Sequence, residues 1–170
     1  TISGSGKLEV SSSLGTGIKS TDSLTIENAE IEVLAAGNNG ISGKTALSIK
    51  DADITVTADC AGIKTTTPDD ETDLTLGNLE ITNSTITVVS NEDGIEAYRD
   101  ATISFSNVTV TSTKNNSKLT TVEGETKDSF KGIKAGQALY IFGGEYNVTA
   151  DDDAVHSDGS VKICENPTMT

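Results

Sequence analysis

A Gly-Ile step recurs along the chain at Gly17-Ile18, Gly40-Ile41, Gly62-Ile63, Gly94-Ile95 and Gly132-Ile133, with Ala154-Val155 as a looser sixth copy. The intervals are 23, 22, 32, 38 and 22 residues, which is a period of about 22 lengthened twice. A second pattern travels with it. "LTIENAEIEV" (24–33), "LSIKDADITV" (47–56), "LEITNSTITV" (79–88) and "LYIFGGEYNV" (139–148) alternate apolar and polar residues on both sides of a central Asn, Asp or Gly. Period-two alternation is the mark of a half-buried strand. The central Asn28, Asp51, Asn83 and Gly143 are of the types that tolerate left-handed backbone, so they mark a bend between two strands. Residues 101–112, "ATISFSNVTVTS", fit with a two-residue slip, and either Ile103 or Phe105 takes the second apolar position there.

One such unit cannot bury its own apolar face, whereas stacked units can. The expected fold is therefore all-β: a parallel β-helix (β-solenoid) of about six coils of roughly 22 residues with two loop insertions. Its coils should lie about 4.8 Å apart. Ile18, Ile41, Ile63, Ile95, Ile133 and Val155 would stack into one interior column, and Leu24, Leu47, Leu79, Leu139 and Val161 into another. Asn28 and Asn83 suggest a partial amide ladder that Asp51 breaks. An antiparallel sandwich would leave the repeat unexplained, and no helical period runs through the chain.

Residues 1–170 read as a single solenoid domain. The insertions are "TTPDDETDLTLGN" (66–78) and "TKNNSKLTTVEGETKDSF" (113–130). They should emerge from one edge, where solenoids often carry binding loops, although tolerated surface length explains them equally well. The chain starts at "TISGSGKLEV", without a charged leader or apolar signal core, and so reads as a mature domain. After "CENPTMT" the last edge needs a cap, further sequence or a partner, so self-association through the open end is an expectation.

Charge narrows the function. Asp and Glu total 26 against 12 Lys and Arg, a net −14, which argues against nucleic acid and anionic membrane as partners. No apolar run approaches the roughly 20 residues of a membrane span. Cys60 and Cys164 pair only if the fold brings them together. Two Cys and one His make no obvious zinc site.

Stacking turns sequence positions into columns. The residue after each Gly-Ile step should point outward, giving Lys19, Ser42, Lys64, Glu96, Lys134 and His156. Beyond a Debye length of about 8 Å surface charge is screened, so this strip can act locally against the global charge. The competing reading is lysine decorating an exposed strand. The positions before the step are acidic: Glu92 and Asp93 in one coil, and Asp151, Asp152 and Asp153 in another, with Asp158 beyond the histidine. Clustered carboxylates are tolerated when solvated or when they hold a cation, and oxygen-only ligands favour calcium. No EF-hand loop is present. Nothing marks a serine held against His156 or an oxyanion hole, and no carboxylate pair is singled out for glycoside hydrolysis. A lyase would need a lysine of lowered pKa near calcium, for which Lys64 and Lys134 are the candidates.

"GIKAGQALYIFGGEYNVT" followed by "ADDDAVHSDGSVKI" resembles the carbohydrate-binding β-helix domains of cellulolytic and gut anaerobic bacteria. In that family a Gly-Ile step, an L-x-I strand, a Gly-Gly bend and an Asp-Asp-Ala/Gly-Ile-His step recur along the helix. The resemblance runs from about Gly17 to Ile163, with Asp152-Asp153-Ala154-Val155-His156-Ser157-Asp158 as its most specific part. It implies a secreted, right-handed parallel β-helix with bound calcium that binds plant cell-wall polysaccharide, especially acidic pectin-type chains. The family is also similar in fold to calcium-dependent pectate lyases. By position, Asp152, Asp153 and Asp158 become calcium-ligand candidates, with Glu92 and Asp93 an earlier acidic pair and Asp151 beside them. The sequence departs from the pattern in holding one intact Asp-Asp-Ala-Val-His-Ser step and no Trp. Flat binding to crystalline cellulose usually needs an aromatic platform, so an acidic chain such as polygalacturonate fits better than cellulose.

The expected function is thus a non-catalytic, calcium-containing carbohydrate-binding module, extracellular or on the surface of a bacterium. Its outer strip of Lys19, Lys64, Glu96, Lys134 and His156 would meet the sugar. The alternatives are a calcium-dependent polysaccharide lyase and a structural adhesin-type solenoid.

Overall fold

Val, Ile and Thr fill both halves of each repeat, and β-branched side chains suit a pleated, half-buried surface. The computed structural model describes residues 1–114 and 129–170. Both halves of each repeat form strands, and a third, short strand starts at each Gly-Ile step. Among the described residues the chain is all-β, in three parallel sheets. The first sheet holds Ile2–Ser3, Ser23–Glu27, Ala46–Lys50, Asn78–Thr82, Ala101–Ser104, Ala138–Phe142 and Ser160–Cys164. The second holds Lys7–Ser12, Glu30–Ala36, Asp53–Ala58, Thr85–Ser90, Asn107–Ser112, Glu145–Ala150 and Thr168–Met169. The third holds Ile18–Ser20, Ile41–Gly43, Ile63–Thr65, Ile95–Ala97, Ile133–Ala135 and Val155–Ser157. The chain visits the three sheets in rotation, and each strand pairs with its equivalent one repeat away. That arrangement is consistent with the expected solenoid.

Register produces the interior columns. Ile18, Ile41, Ile63, Ile95, Ile133 and Val155 are aligned partners in the third sheet. In the first sheet Leu24, Leu47, Leu79, Leu139 and Val161 align, with Ala101 completing the column. The slip in residues 101–112 is resolved in favour of Ile103. It is fully buried between Ile81 and Ile141, while Phe105 occupies the bend. Bend residues Asn28, Asp51, Asn83, Phe105 and Gly143 have φ of 50°, 50°, 49°, 49° and 56°. In the bend column Asn83 Nδ2 donates to Asp51 Oδ1, so the carboxylate serves as an acceptor on that side.

The recurring glycines answer to close approach. A β-carbon on Gly94 would stand 2.2 Å from Val110 Cγ1 and 2.6 Å from the carbonyl oxygen of Gly132 in the next repeat. Gly40, Gly62 and Gly132 face the same pair of obstacles. Only hydrogen leaves room for the second sheet's valine column to pack there.

The first insertion leaves the third sheet after Thr65 and rejoins the first at Asn78. It is tied down: Thr65 Oγ1 donates to Gly77 O at 2.7 Å, and Arg99, 4% exposed, donates to Leu76 O and Glu71 O at 3.0 Å each. Most of the second insertion, 115–128, lies outside the described residues. Cys60 and Cys164 are both free thiols. No helix among the described residues is long and apolar enough to cross a membrane.

Candidate functional site

The strand after each Gly-Ile step is three residues long, so one side chain per repeat points outward between two that point inward. In register these are Lys19, Ser42, Lys64, Glu96, Lys134 and His156, as the repeat predicts. Parallel strands lie about 4.8 Å apart, close enough for neighbouring charges to meet. Lys64 Nζ reaches Glu96 Oε2 at 2.7 Å, and Lys134 Nζ reaches Glu96 Oε1 at 3.3 Å. Lys134 also holds Asp93 Oδ2 at 3.1 Å. Burial alone would lower the Lys134 pKa, but Glu96 and Asp93 together outweigh it and hold the ammonium above its usual range. The middle of the strip is therefore a self-neutralised ladder of Lys64, Glu96, Lys134 and Asp93. Lys19 stands apart, and Ser42 is covered.

The six acidic candidates do not converge. Among the described residues no group of three or more His, Cys, Asp or Glu side chains could hold a metal ion. The reason lies in the repeat between the two acidic stretches. Counting two residues back from the paired Ile95, Ile133 and Val155 gives Asp93, Lys131 and Asp153 in one column. Lys131 thus separates the acids. Its amide donates to Asp93 Oδ1 at 2.8 Å, and its ammonium holds Asp152 and lies 3.8 Å from Asp153 Oδ2. That ammonium lowers the Asp152 pKa. Asp151 accepts the Lys114 amide at 2.7 Å. His156 takes up the last two: Nδ1 meets Asp153 Oδ2 at 2.8 Å, and Nε2 meets Asp158 Oδ1 at 2.9 Å. With both nitrogens engaged, the ring is not a free general base.

Asp93 is 3% exposed, and its carboxylate is satisfied by Lys134 and the Lys131 amide. Glu92 faces the other way, toward Cys60. Burial raises its pKa, against the opposing hydrogen bond from the thiol and the charge of Lys64. The same burial, with Glu92 adding to it, pushes the Cys60 thiol up to about 11. Lys131 is the site residue that the sequence reading missed. Carrying the acidic column through "SFKGI" would have found it.

Asp152, Asp153 and Asp158 offer the oxygen chemistry that calcium takes, but as arranged each is already partnered. An ion there would have to displace Lys131 and His156. The strip presents hydroxyl-compatible donors and acceptors in a line, which suits a polar chain laid across the strands.

A family model described as "Carbohydrate-binding domain-containing protein" matches residues 1–168. Comparisons with curated proteins and with solved structures gave no match.

Proposed function

Since this chain belongs to the carbohydrate-binding domain-containing protein family, we propose that it is a non-catalytic polysaccharide-binding module working outside a bacterial cell or on its surface. In this reading it is a right-handed parallel β-helix of about six coils, and the sugar chain runs along the third sheet. The family match over 1–168 carries the reading. The in-register strip of Lys19, Lys64, Glu96, Lys134 and His156 supports the choice of face, because regularly spaced donors and acceptors suit a repeating hydroxylated polymer.

The finer reading is an acidic, pectin-type chain with calcium. Lys64 and Lys134 already have carboxylate partners, so an incoming uronate meets about as many acids as bases. Calcium bridging the Asp152, Asp153 and Asp158 edge to the uronates would supply the missing attraction. The lyase alternative has less support: Lys134 is held as an ammonium and both nitrogens of His156 are engaged, so neither is poised as a base.

The test is binding to immobilised polygalacturonate, with calcium and then with EDTA. The expected result is retention in calcium and release in EDTA. Retention in EDTA removes the metal from the reading. No binding to polygalacturonate or to any glycan of a broad array would overturn the carbohydrate role.

A further inference from the structure

The outward face of the first sheet carries an aromatic group that the family match does not assign. Tyr140 and Phe142 stand two residues apart on Ala138–Phe142, so they share a face. Their rings are parallel, with 1° between planes and centroids 6.4 Å apart. Phe105 joins them from the neighbouring repeat. Its amide donates to Phe142 O at 2.7 Å, and its ring lies against Gly143, where a β-carbon would stand 2.8 Å from Phe105 Cδ1. Half of the chain's three Tyr and three Phe thus gather at one place, although the sequence has no Trp and suggested no platform.

Phe105 packs against Gly143 but leaves most of its ring in solvent. It is 61% exposed and sits at φ 49°, a conformation disfavoured for a large side chain. Of the equivalent bends, Asn28, Asp51, Asn83 and Gly143 suit it, and Glu165 is the other large side chain placed there. An exposed aromatic ring at such a bend, beside two more on the same sheet, is apolar surface open to a ligand.

The chemistry of such a patch is specific. An aromatic face is electron-rich and attracts positively polarised C–H bonds. A pyranose ring offers C–H bonds on its faces and hydroxyls at its rim. Thr102 and Ser104 are the strand partners of Tyr140 and Phe142 on one side, with Lys162 and Cys164 on the other. Hydroxyl and ammonium donors therefore border the rings, and none of the four partners is a carboxylate. Stacking of this kind needs no charge on the sugar, and a −14 chain repels an acidic one.

The geometry points to a second sugar-binding site, formed by Phe105, Tyr140 and Phe142, that takes an uncharged, extended polysaccharide. The inference rests on the carbohydrate-binding reading above, but uses a different face from the lysine–carboxylate strip. Calorimetric titration of the full chain with cellohexaose, mannohexaose and xylohexaose, and in parallel with polygalacturonate, tests it. At least one uncharged oligosaccharide should bind. Phe105→Asn and the double variant Tyr140→Thr/Phe142→Thr should each weaken that binding tenfold or more, leaving any polygalacturonate binding unchanged. The melting temperature of Phe105→Asn should hold or rise, because Asn suits the bend; a fall would mean that packing holds Phe105 there, which sinks its role. Unchanged affinity in both variants overturns the aromatic site and leaves the carbohydrate role standing. So does binding of polygalacturonate alone. Binding of neither class overturns both readings.

Discussion

Residue by residue, the recurring glycine does more than the isoleucine beside it. The isoleucine fills a column that valine also fills at position 155, so its identity is flexible. The glycine is fixed by two obstacles at once, a valine methyl and a backbone carbonyl. A methyl can turn aside, but a carbonyl oxygen engaged in the parallel ladder cannot, since Ile95 N donates to Gly132 O at 2.9 Å. Gly94→Ala should therefore act as overpacking inside a rigid ladder, costing about 2–3 kcal/mol. Urea unfolding measures it, with Ala154→Gly as a comparison. Ala154 is exposed and already carries the β-carbon, so that change should cost well under half as much. Equal effects of the two substitutions would count against the close-approach account.

At the scale of elements, the first insertion behaves as part of the fold. Arg99 lies almost wholly buried and ties two of the loop's carbonyls to the first turn of chain beyond it. Tyr98 adds a hydrogen bond from its hydroxyl to Glu71 Oε2 at 2.5 Å. Removing the guanidinium leaves those carbonyls without their partner, at about 1–3 kcal/mol. Arg99→Ala should thus loosen 66–77, and a glutamate-specific protease should nick the variant after Glu71 sooner than the wild type, as peptide mass spectrometry would show. A cleavage rate equal to wild type would mean that other contacts hold the loop. The insertion itself was legible as an interruption of the period, but its anchoring was not, because Arg99 sits in no repeating column. The strands and bends were legible because each position recurs, and recurrence separates signal from accident. The same logic fails where an insertion intervenes. Lys131 follows the second insertion, which hid its place in the column between Asp93 and Asp153. Phe105 and Tyr140 are divided by that insertion too, so their meeting on the first sheet was invisible as a sequence pattern.

For the molecule as a whole, stacking at about 4.8 Å forces every surface column to bring like positions within a Debye length of about 8 Å. The chain answers locally with Lys64, Glu96 and Lys134 in alternation, and with Lys131 between acids. Yet 26 acidic residues face only 12 basic ones, so most of the remaining carboxylates repel across the surface. Salt weakens both the pairs and the repulsion; the excess of 14 negative charges decides the sign. Sodium chloride raised from low ionic strength to about 0.15 M should therefore raise the melting temperature. Calcium chloride at matched ionic strength separates screening from binding. Screening alone gives nearly the same rise. An ion held by Asp152, Asp153 and Asp158 in the native state only would add about 2.7 kcal/mol at a hundredfold excess over its Kd, several degrees more. Asp153→Asn should then abolish the excess without changing the sodium response. Coincident sodium and calcium curves would take calcium out of the proposed function and leave the acidic edge to its lysine and histidine partners.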